Sequence, residues 1–218
     1  MTQTTLLSRA AAALLLGASS LAAQADVRIS EWMYNGSEFI EFTNLGPTAV
    51  DMTGWSYDDE SQLAGTVSLS AFGTVAAGPS VVLAEDDAAE FRAQWGLADT
   101  VKVIGGNSVN LGRNDEINLY DAQGALADRL RYGDSNYVPG SIRTQNISGN
   151  PASLALLAGD TSAGWVLSAP GDAFGSRLSS TGMVGNPGQF TLAVPEPTSA
   201  ALLLAGLALV GGLARRRV

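Results

Sequence analysis

The side chains of this 218-residue chain that could carry out acid–base or metal chemistry are mostly carboxylates. The sequence has 21 Asp and Glu but no Cys and no His. Thiol nucleophiles, Ser-His-Asp triads and zinc sites of the Cys/His type are therefore excluded. An enzyme would have to use carboxylates, tyrosines, arginines or Lys102, as glycosidases use carboxylate pairs. No such pair is recognisable from the spacing, so we predict a protein that is not an enzyme and has no cofactor.

Two runs of adjacent carboxylates could relieve their mutual repulsion by binding a hard cation such as Ca²⁺. They are Asp58-Asp59-Glu60 and Glu85-Asp86-Asp87. Neither has the alternating ligand spacing of an EF-hand loop. The first is more typical of a solvated loop, and the second of the first turn of a helix, where the helix dipole favours negative charge. We predict no metal site and keep calcium binding as an alternative.

Three chemical features follow one another at the end of the sequence. Pro195-Glu196-Pro197 forms a stiff, extended segment because proline fixes φ and lacks an N–H donor. Residues 198–214 are uncharged and mostly apolar, at the short end of what spans a bilayer core. Arg215, Arg216 and Arg217 then favour the cytoplasmic side. The order predicts transient anchoring in the inner membrane, with the preceding domain outside.

This order of motif, apolar segment and basic cluster resembles the PEP-CTERM sorting signal, over residues 195–218. The resemblance implies that an exosortase recognises Pro195, Glu196 and Pro197 and removes the tail. An ordinary C-terminal membrane anchor is the alternative. Under the first interpretation the mature protein reaches the cell surface or the extracellular matrix.

The first 25 residues have the form of a secretory signal peptide. Arg9 is their only charge, and an apolar run continues through Leu16. Ala23 and Ala25 then supply the small-x-small site that signal peptidase requires, so we predict cleavage before Asp26. An uncleaved N-terminal anchor is the less favoured alternative.

The mature region is strongly acidic. The whole chain has 21 acidic and 12 basic residues, and removing Glu196, Arg9 and the three terminal arginines leaves 20 acidic and 8 basic. Such a surface repels phosphate backbones, so nucleic acid is excluded as a partner.

Short apolar runs separated by turn residues dominate the mature region. Asn35-Gly36 is a hairpin signal, and residues 121–124 form a second turn. The pattern is typical of a β-sandwich. The predicted strands are 27–30, 39–44, 50–52, 67–69, 80–84, 101–104, 117–120 and 126–132.

One short helix interrupts this pattern. Asp87 is a good N-cap and Gly96 a good stop for a helix over residues 88–95. Phe91 and Trp95 stand four residues apart and share a face. We predict that they plug one open end of the sandwich, with an aromatic ligand platform as the alternative.

The first strands also carry a resemblance to a known family. VRISE at 27–31, EFIEFTN at 38–44 and AVDMTGW at 49–55 resemble the opening of the lamin-tail domain. INLYD at 117–121 and GWVL at 164–167 resemble later strands, and SIR at 141–143 is a shortened form of another element. The resemblance extends over residues 27–188 and implies an immunoglobulin-like fold.

We therefore predict an all-β, immunoglobulin-like antiparallel β-sandwich with one short helix, plus an N-terminal signal helix and a C-terminal transmembrane helix. The predicted division is 1–25 signal peptide, 26–168 sandwich, 169–194 flexible stalk rich in Gly, Ser and Pro, and 195–218 sorting segment. Alternation along the strands predicts the core. Its residues are Val27, Ile29, Ile40, Phe42, Val50, Met52, Trp55, Val67, Leu69, Ile117 and Leu119.

These features favour a non-catalytic surface or matrix protein with a structural or adhesive sandwich. Its expected partners are signal peptidase, exosortase, the inner membrane in transit, and exopolysaccharide. One alternative is a carbohydrate-binding module, with or without calcium, and another is an accessory to an extracellular hydrolase. For the carbohydrate alternative, the aromatic rings that could stack on a sugar are Trp32, Trp55, Trp95 and Tyr137.

Overall fold

A computed structural model of the chain describes residues 26–191 as strands, loops and one α-helix. The helix α1 is Ala88–Trp95, and short 3-10 turns occur at Ser70–Phe72 and Leu154–Ala158. The strands are β1 Val27–Met33, β2 Phe39–Asn44, β3 Val50–Asp51, β4 Ser56–Asp58, β5 Val67–Ser68, β6 Thr74–Val75, β7 Ser80–Ala84, β8 Lys102–Ile104, β9 Asp115–Tyr120, β10 Leu126–Tyr132, β11 Gly149–Pro151, β12 Trp165–Leu167, β13 Arg177–Leu178 and β14 Val184–Gly185.

Two sheets make up the sandwich. One has six strands in the order β12-β11-β1-β2-β7-β8, and the other has four in the order β10-β9-β4-β5. The strand pairs are antiparallel except β7–β8, which is parallel. The predicted immunoglobulin-like β-sandwich is confirmed, with this one parallel pair as a departure from a purely antiparallel fold.

The core lies between the two sheets. Alternation places Ile40 and Phe42 of β2 on the face towards the four-stranded sheet, which we call the inner face. Ile117 and Leu119 of β9 meet them from the other side. The predicted core is confirmed: ten of its eleven residues are buried, and Val67 is partly buried against them.

The helix forms where the sequence predicts it, but it does not plug an end of the sandwich. Asp87 accepts a hydrogen bond from the Ala89 N–H at 2.9 Å, and Gly96 ends the helix in the left-handed conformation. Phe91 and Trp95 pack on Phe39, on the outer face of the six-stranded sheet. The reason is topological: a connection between parallel neighbours has to cross a face of the sheet.

The prediction of a flexible stalk over residues 169–194 is wrong for residues 169–191, which are folded onto the outer face. They contain β13 and β14, and Phe174, Met183 and Val184 are buried. We call residues 183–190 the strap. Composition misled the prediction because the strap buries few large apolar side chains and is held mainly by polar contacts.

Several predicted segments lie outside the described residues. They are the signal peptide with Ala23 and Ala25, the apolar segment 198–214, and the sorting-motif and arginine residues near the C-terminus. Over residues 26–191, the chain has no helix of the length and hydropathy that membrane crossing requires.

Candidate functional sites

Two glutamates lie side by side on the outer face of the six-stranded sheet. Glu31 of β1 is directly opposite Glu41 of β2 in the strand register, and both are fully buried. A β-bulge between Ile29 and Glu31 turns Ser30 towards the same face. Alternation in β2, which predicts Ile40 and Phe42 in the core, puts Glu41 on the opposite face, but the pairing with Glu31 depends on the bulge and the register.

Buried hydroxyl groups surround the glutamate pair. Ser30 donates to Glu41 Oε1 at 2.7 Å, and the Ser30 and Thr43 hydroxyls are 2.7 Å apart. Ser148, in the loop before β11, donates to Glu31 Oε1. The part of the outer face around the glutamate pair is therefore a sealed polar layer, next to the apolar cluster of Phe39, Phe91 and Trp95, and most of its polar groups find partners as burial requires.

The strap closes this layer by presenting backbone N–H groups to the carboxylates. The Asn186 N–H donates to Glu31 Oε1 at 2.8 Å, and the Gly188 N–H donates to Glu41 Oε2 at 2.7 Å. Gly185 has to be glycine because a Cβ would lie 2.9 Å from the Ser148 hydroxyl and 3.0 Å from Glu31 Oε1. The glutamate pair thus holds the strap across β1 and β2.

Burial dominates the electrostatics of the pair. It raises the pKa of Glu31 well above its ordinary value and that of Glu41 to about 7, and hydrogen bonds only partly oppose the rise. Within residues 26–191, neither carboxylate forms a salt bridge, and Glu31 Oε2 has no hydrogen-bond partner. Two negative charges without a salt-bridge partner are costly in such a site, and the more distant Arg177 only partly offsets them, so the pair retains a proton near neutral pH.

The pair resembles a catalytic carboxylate dyad in composition but not in access. Both side chains lie beneath the strap, and no substrate atom could reach them without displacing it. In this closed form the arrangement can hold a segment and share a proton, and it cannot perform acid–base catalysis on an external substrate.

An open cleft of about 700 Å³ lies elsewhere, beside the start of β1 and the β9–β10 turn. Arg28, Asp51, Asp121, Gln123 and the edge of Trp55 line it. Asp51 and Asp121 each use Oδ1 to accept hydrogen bonds from their own turns. Their other carboxylate oxygens remain available to a ligand in a volume typical of small-ligand sites.

The two acidic runs have structural roles. Asp58 is buried and accepts hydrogen bonds from Ser61 and Leu63 in its own loop. Asp86 accepts from the Ser37 hydroxyl at 2.5 Å, while Asp87 caps α1. In the part of the chain that the structure describes, no group of three or more carboxylates is arranged to hold a metal ion.

Three of the four rings named for the carbohydrate alternative are not available to stack on a sugar. Trp32, Trp55 and Trp95 are 0%, 5% and 2% exposed and belong to the cores on either side of the sheet. Only Tyr137 is substantially exposed, with the Arg131 guanidinium 5.4 Å from its ring centre. Trp55 still reaches the wall of the cleft.

Comparison with known families gives two matches. The Lamin Tail Domain profile matches residues 20–134, and the PEP-CTERM protein-sorting motif matches residues 193–218. Both resemblances drawn from the sequence are confirmed, the first over residues 20–134, while its continuation to residue 188 stays a prediction. A search of the curated proteins returned no match.

Proposed function

Because this chain belongs to the Lamin Tail Domain family and carries a PEP-CTERM sorting motif, we propose that it is a non-catalytic structural or adhesive protein of the cell surface or matrix. The sorting motif marks it as an exported substrate of an exosortase. Both families are non-catalytic kinds. The proposal adds the role of the sandwich: a rigid module that is displayed after the tail has been removed.

The observation that carries the proposal is the sealed state of the glutamate pair. It is the most enzyme-like feature of the described residues, yet its carboxylates accept hydrogen bonds from the strap and are covered by it. The same strap keeps the domain folded to within a few residues of Pro195. A compact module joined so closely to its sorting signal suits display rather than turnover.

Processing completes the proposal. Signal peptidase cleaves before Asp26, the apolar segment 198–214 holds the precursor in the inner membrane, and Arg215–Arg217 stay cytoplasmic. The described residues end at Thr191, and three residues separate Thr191 from Pro195 in the sequence. Exosortase then acts at Pro195, Glu196 and Pro197.

The test scrambles Pro195-Glu196-Pro197 and follows the size and location of the protein by mass spectrometry and fractionation. We expect the variant to remain uncleaved and membrane-bound, because the motif is what the enzyme recognises. Its sandwich should melt at the same temperature as the wild type. Release of the variant at the processed mass would refute the sorting role and favour an ordinary anchor.

The same purified, secreted form tests the absence of catalysis. It is incubated with panels of polysaccharides and phosphoesters, and the products are measured. Turnover that disappears when an exposed residue is substituted would contradict the proposal. If the protein neither converts nor binds any compound of the panels, the proposal narrows to a purely structural role.

A second candidate function is carbohydrate recognition in the cleft. Its free carboxylate oxygens could bind sugar hydroxyls and Trp55 could contact a sugar ring, beside the Arg28 guanidinium, which is itself bonded to Asp26 and Asp128. Asp26, Asp51 and Asp121 also line the cleft against the one guanidinium of Arg28, and this excess of carboxylates favours neutral or amino sugars over acidic ones. The test variant is Asp121→Asn, which keeps the Oδ1 atom that accepts the hydrogen bond of its turn. The matched control is Asp172→Asn, because Asp172 accepts a similar turn hydrogen bond outside the cleft. Binding to neutral or amino glycans that falls only in Asp121→Asn would support this candidate.

A further inference from the structure

The described chain leaves the sandwich at one defined place. The strap crosses the outer face over β1 and β2, fixed at Asn186 and Gly188. Gly188 then lies against the loop before β8, where a Cβ would come within 2.8 Å of Val101 and 3.6 Å of Leu97. Because β8 is an edge strand, the chain leaves the domain beside one edge of the six-stranded sheet.

The distance from that point to the processing motif is short. Three residues separate Thr191 from Pro195. Four extended Cα steps span at most about 14 Å. A domain of this length has a radius of gyration of about 15 Å. An enzyme that holds the motif is therefore brought against the side of the sandwich from which the chain leaves.

That side differs in charge from the rest of the acidic domain. Arg92 donates to the Ala98 carbonyl at 3.0 Å and also to Val101, so its guanidinium lies at the loop before β8. Lys102 follows immediately, with its ammonium donating to the Phe72 and Thr74 carbonyls. The carboxylates on this side are Asp99 of the loop and Asp172, which accepts from the Phe174 N–H. Two cations balance the local carboxylate charge, so this surface can approach a partner without the repulsion expected elsewhere on the domain.

We call this surface the exit face and define it by residues 97–102, residues 173–175 and Gln189. Gly175 belongs to it because a Cβ there would lie 3.3 Å from the Gln189 side chain. We propose that the exit face docks on exosortase in the precursor while Pro195-Glu196-Pro197 occupies the processing site. The inference rests on the proposed function, because it requires that exosortase act on this motif.

The absence of cysteine from the chain makes site-specific cross-linking direct. Thr100→Cys and Ala173→Cys place one thiol each at exposed positions of the exit face. Val166→Cys in β12 is the matched control, because β12 is the opposite edge of the same sheet. Five strand spacings, about 24 Å, separate the two edges.

Full-length precursors are labelled with a benzophenone maleimide in membranes taken shortly after induction, irradiated, and probed for an exosortase adduct. We expect adducts from Thr100→Cys and Ala173→Cys at about tenfold the yield from Val166→Cys. Equal yields at all positions, adducts from the control alone, lipid adducts in place of protein, or no adducts would each overturn the inference.

Failure of the inference and failure of the proposed function give different results. If the precursor is processed normally but the exit-face thiols show no preference, the docking surface is wrong and the sorting role stands. If the scrambled-motif variant is still released at the processed mass, the sorting role itself is wrong. The melting temperature of each cysteine variant shows whether the sandwich is intact.

Discussion

On its inner face the six-stranded sheet packs Ile40 and Phe42 against the second sheet, whereas its outer face carries Glu31 and Glu41 beneath the strap. Both faces are buried. The stability of the inner face depends little on which apolar side chains fill it, as long as their total volume is conserved. The outer face depends on individual hydrogen bonds, since each unpaired polar group there is costly. One sheet can therefore have an apolar core that tolerates substitution on one face and a polar core that requires specific hydrogen bonds on the other.

The largest effect should come from the inner face. Phe42→Ala removes a fully buried ring and should lower the free energy of unfolding by about 3–5 kcal/mol. Thermal or denaturant unfolding measures the change. Val67→Ala, at the partly buried member of the predicted core, should cost clearly less. Similar losses in both variants would contradict the burial described for Phe42.

A smaller and more local effect should come from the outer face. Glu31→Ala leaves the Asn186 N–H without its acceptor, at about 1–3 kcal/mol, whereas the Ser148 hydroxyl can still pair with Ser168. Hydrogen exchange should rise at Asn186 and Gly188 more than in β2. Glu31→Gln, which keeps a carbonyl oxygen, serves as the control. Unchanged exchange in the strap of Glu31→Ala would show that other contacts hold it.

The pH dependence of stability comes from buried carboxylates on both faces: Glu41 lies on the outer face beneath the strap, and Glu38 accepts a hydrogen bond from the Leu111 N–H at the inner core. Burial raises the pKa of Glu41 to about 7 and that of Glu38 to about 8, against about 4.3 in an unfolded chain. The folded state therefore binds more protons than the unfolded state between these values, and stability falls as pH rises from about 4.3 through 8.

We expect the melting temperature to drop by several degrees between pH 5 and pH 8. Glu41→Gln, which cannot ionise, should flatten this slope, while Asp99→Asn at an exposed loop should leave it unchanged. A slope that is the same in Glu41→Gln as in the wild type would mean that Glu41 titrates normally.

The smallest effect should come from the helix that covers part of the outer face. Asp87→Ala removes the N-cap acceptor of the Ala89 N–H and should cost about 1 kcal/mol. Asp87→Asn should retain most of it. Since Phe91 and Trp95 pack on Phe39, the near-ultraviolet circular dichroism of these rings reports whether the helix also shifts. An equal loss of unfolding free energy in both variants would show that the charge of Asp87, and not its capping hydrogen bond, stabilises the helix.

Alternation predicted the inner face well because a buried strand face is a local property of its own sequence. It also placed Glu41 on the opposite side. The pairing of Glu41 with Glu31 was not predictable, because it needs the strand register and the bulge after Ile29. The signal that could have indicated it is a Glu inside each of two neighbouring strands that also carry large apolar residues.

The strap was missed for a related physical reason. Its contacts are made by backbone N–H groups of Asn186 and Gly188, which no composition measure records. Gly, Ser and Pro are typical of flexible linkers, yet here Gly185 is needed so that the backbone can approach Ser148 and Glu31 closely. The lamin-tail resemblance was extended to residue 188 without any contact assigned to this segment, and the family match itself ends at residue 134.

The course of the strap also decides how the protein bears mechanical load. A pull on the chain beyond Thr191 reaches Gly188 first and Asn186 next, because the strap crosses the strands instead of running along them. The two hydrogen bonds are therefore stretched one after the other, as in peeling tape, and not together as in shear. The strap would lengthen the tether and absorb work while β1 and β2 stay paired beneath it, so a displayed sandwich could yield at its attachment point without unfolding.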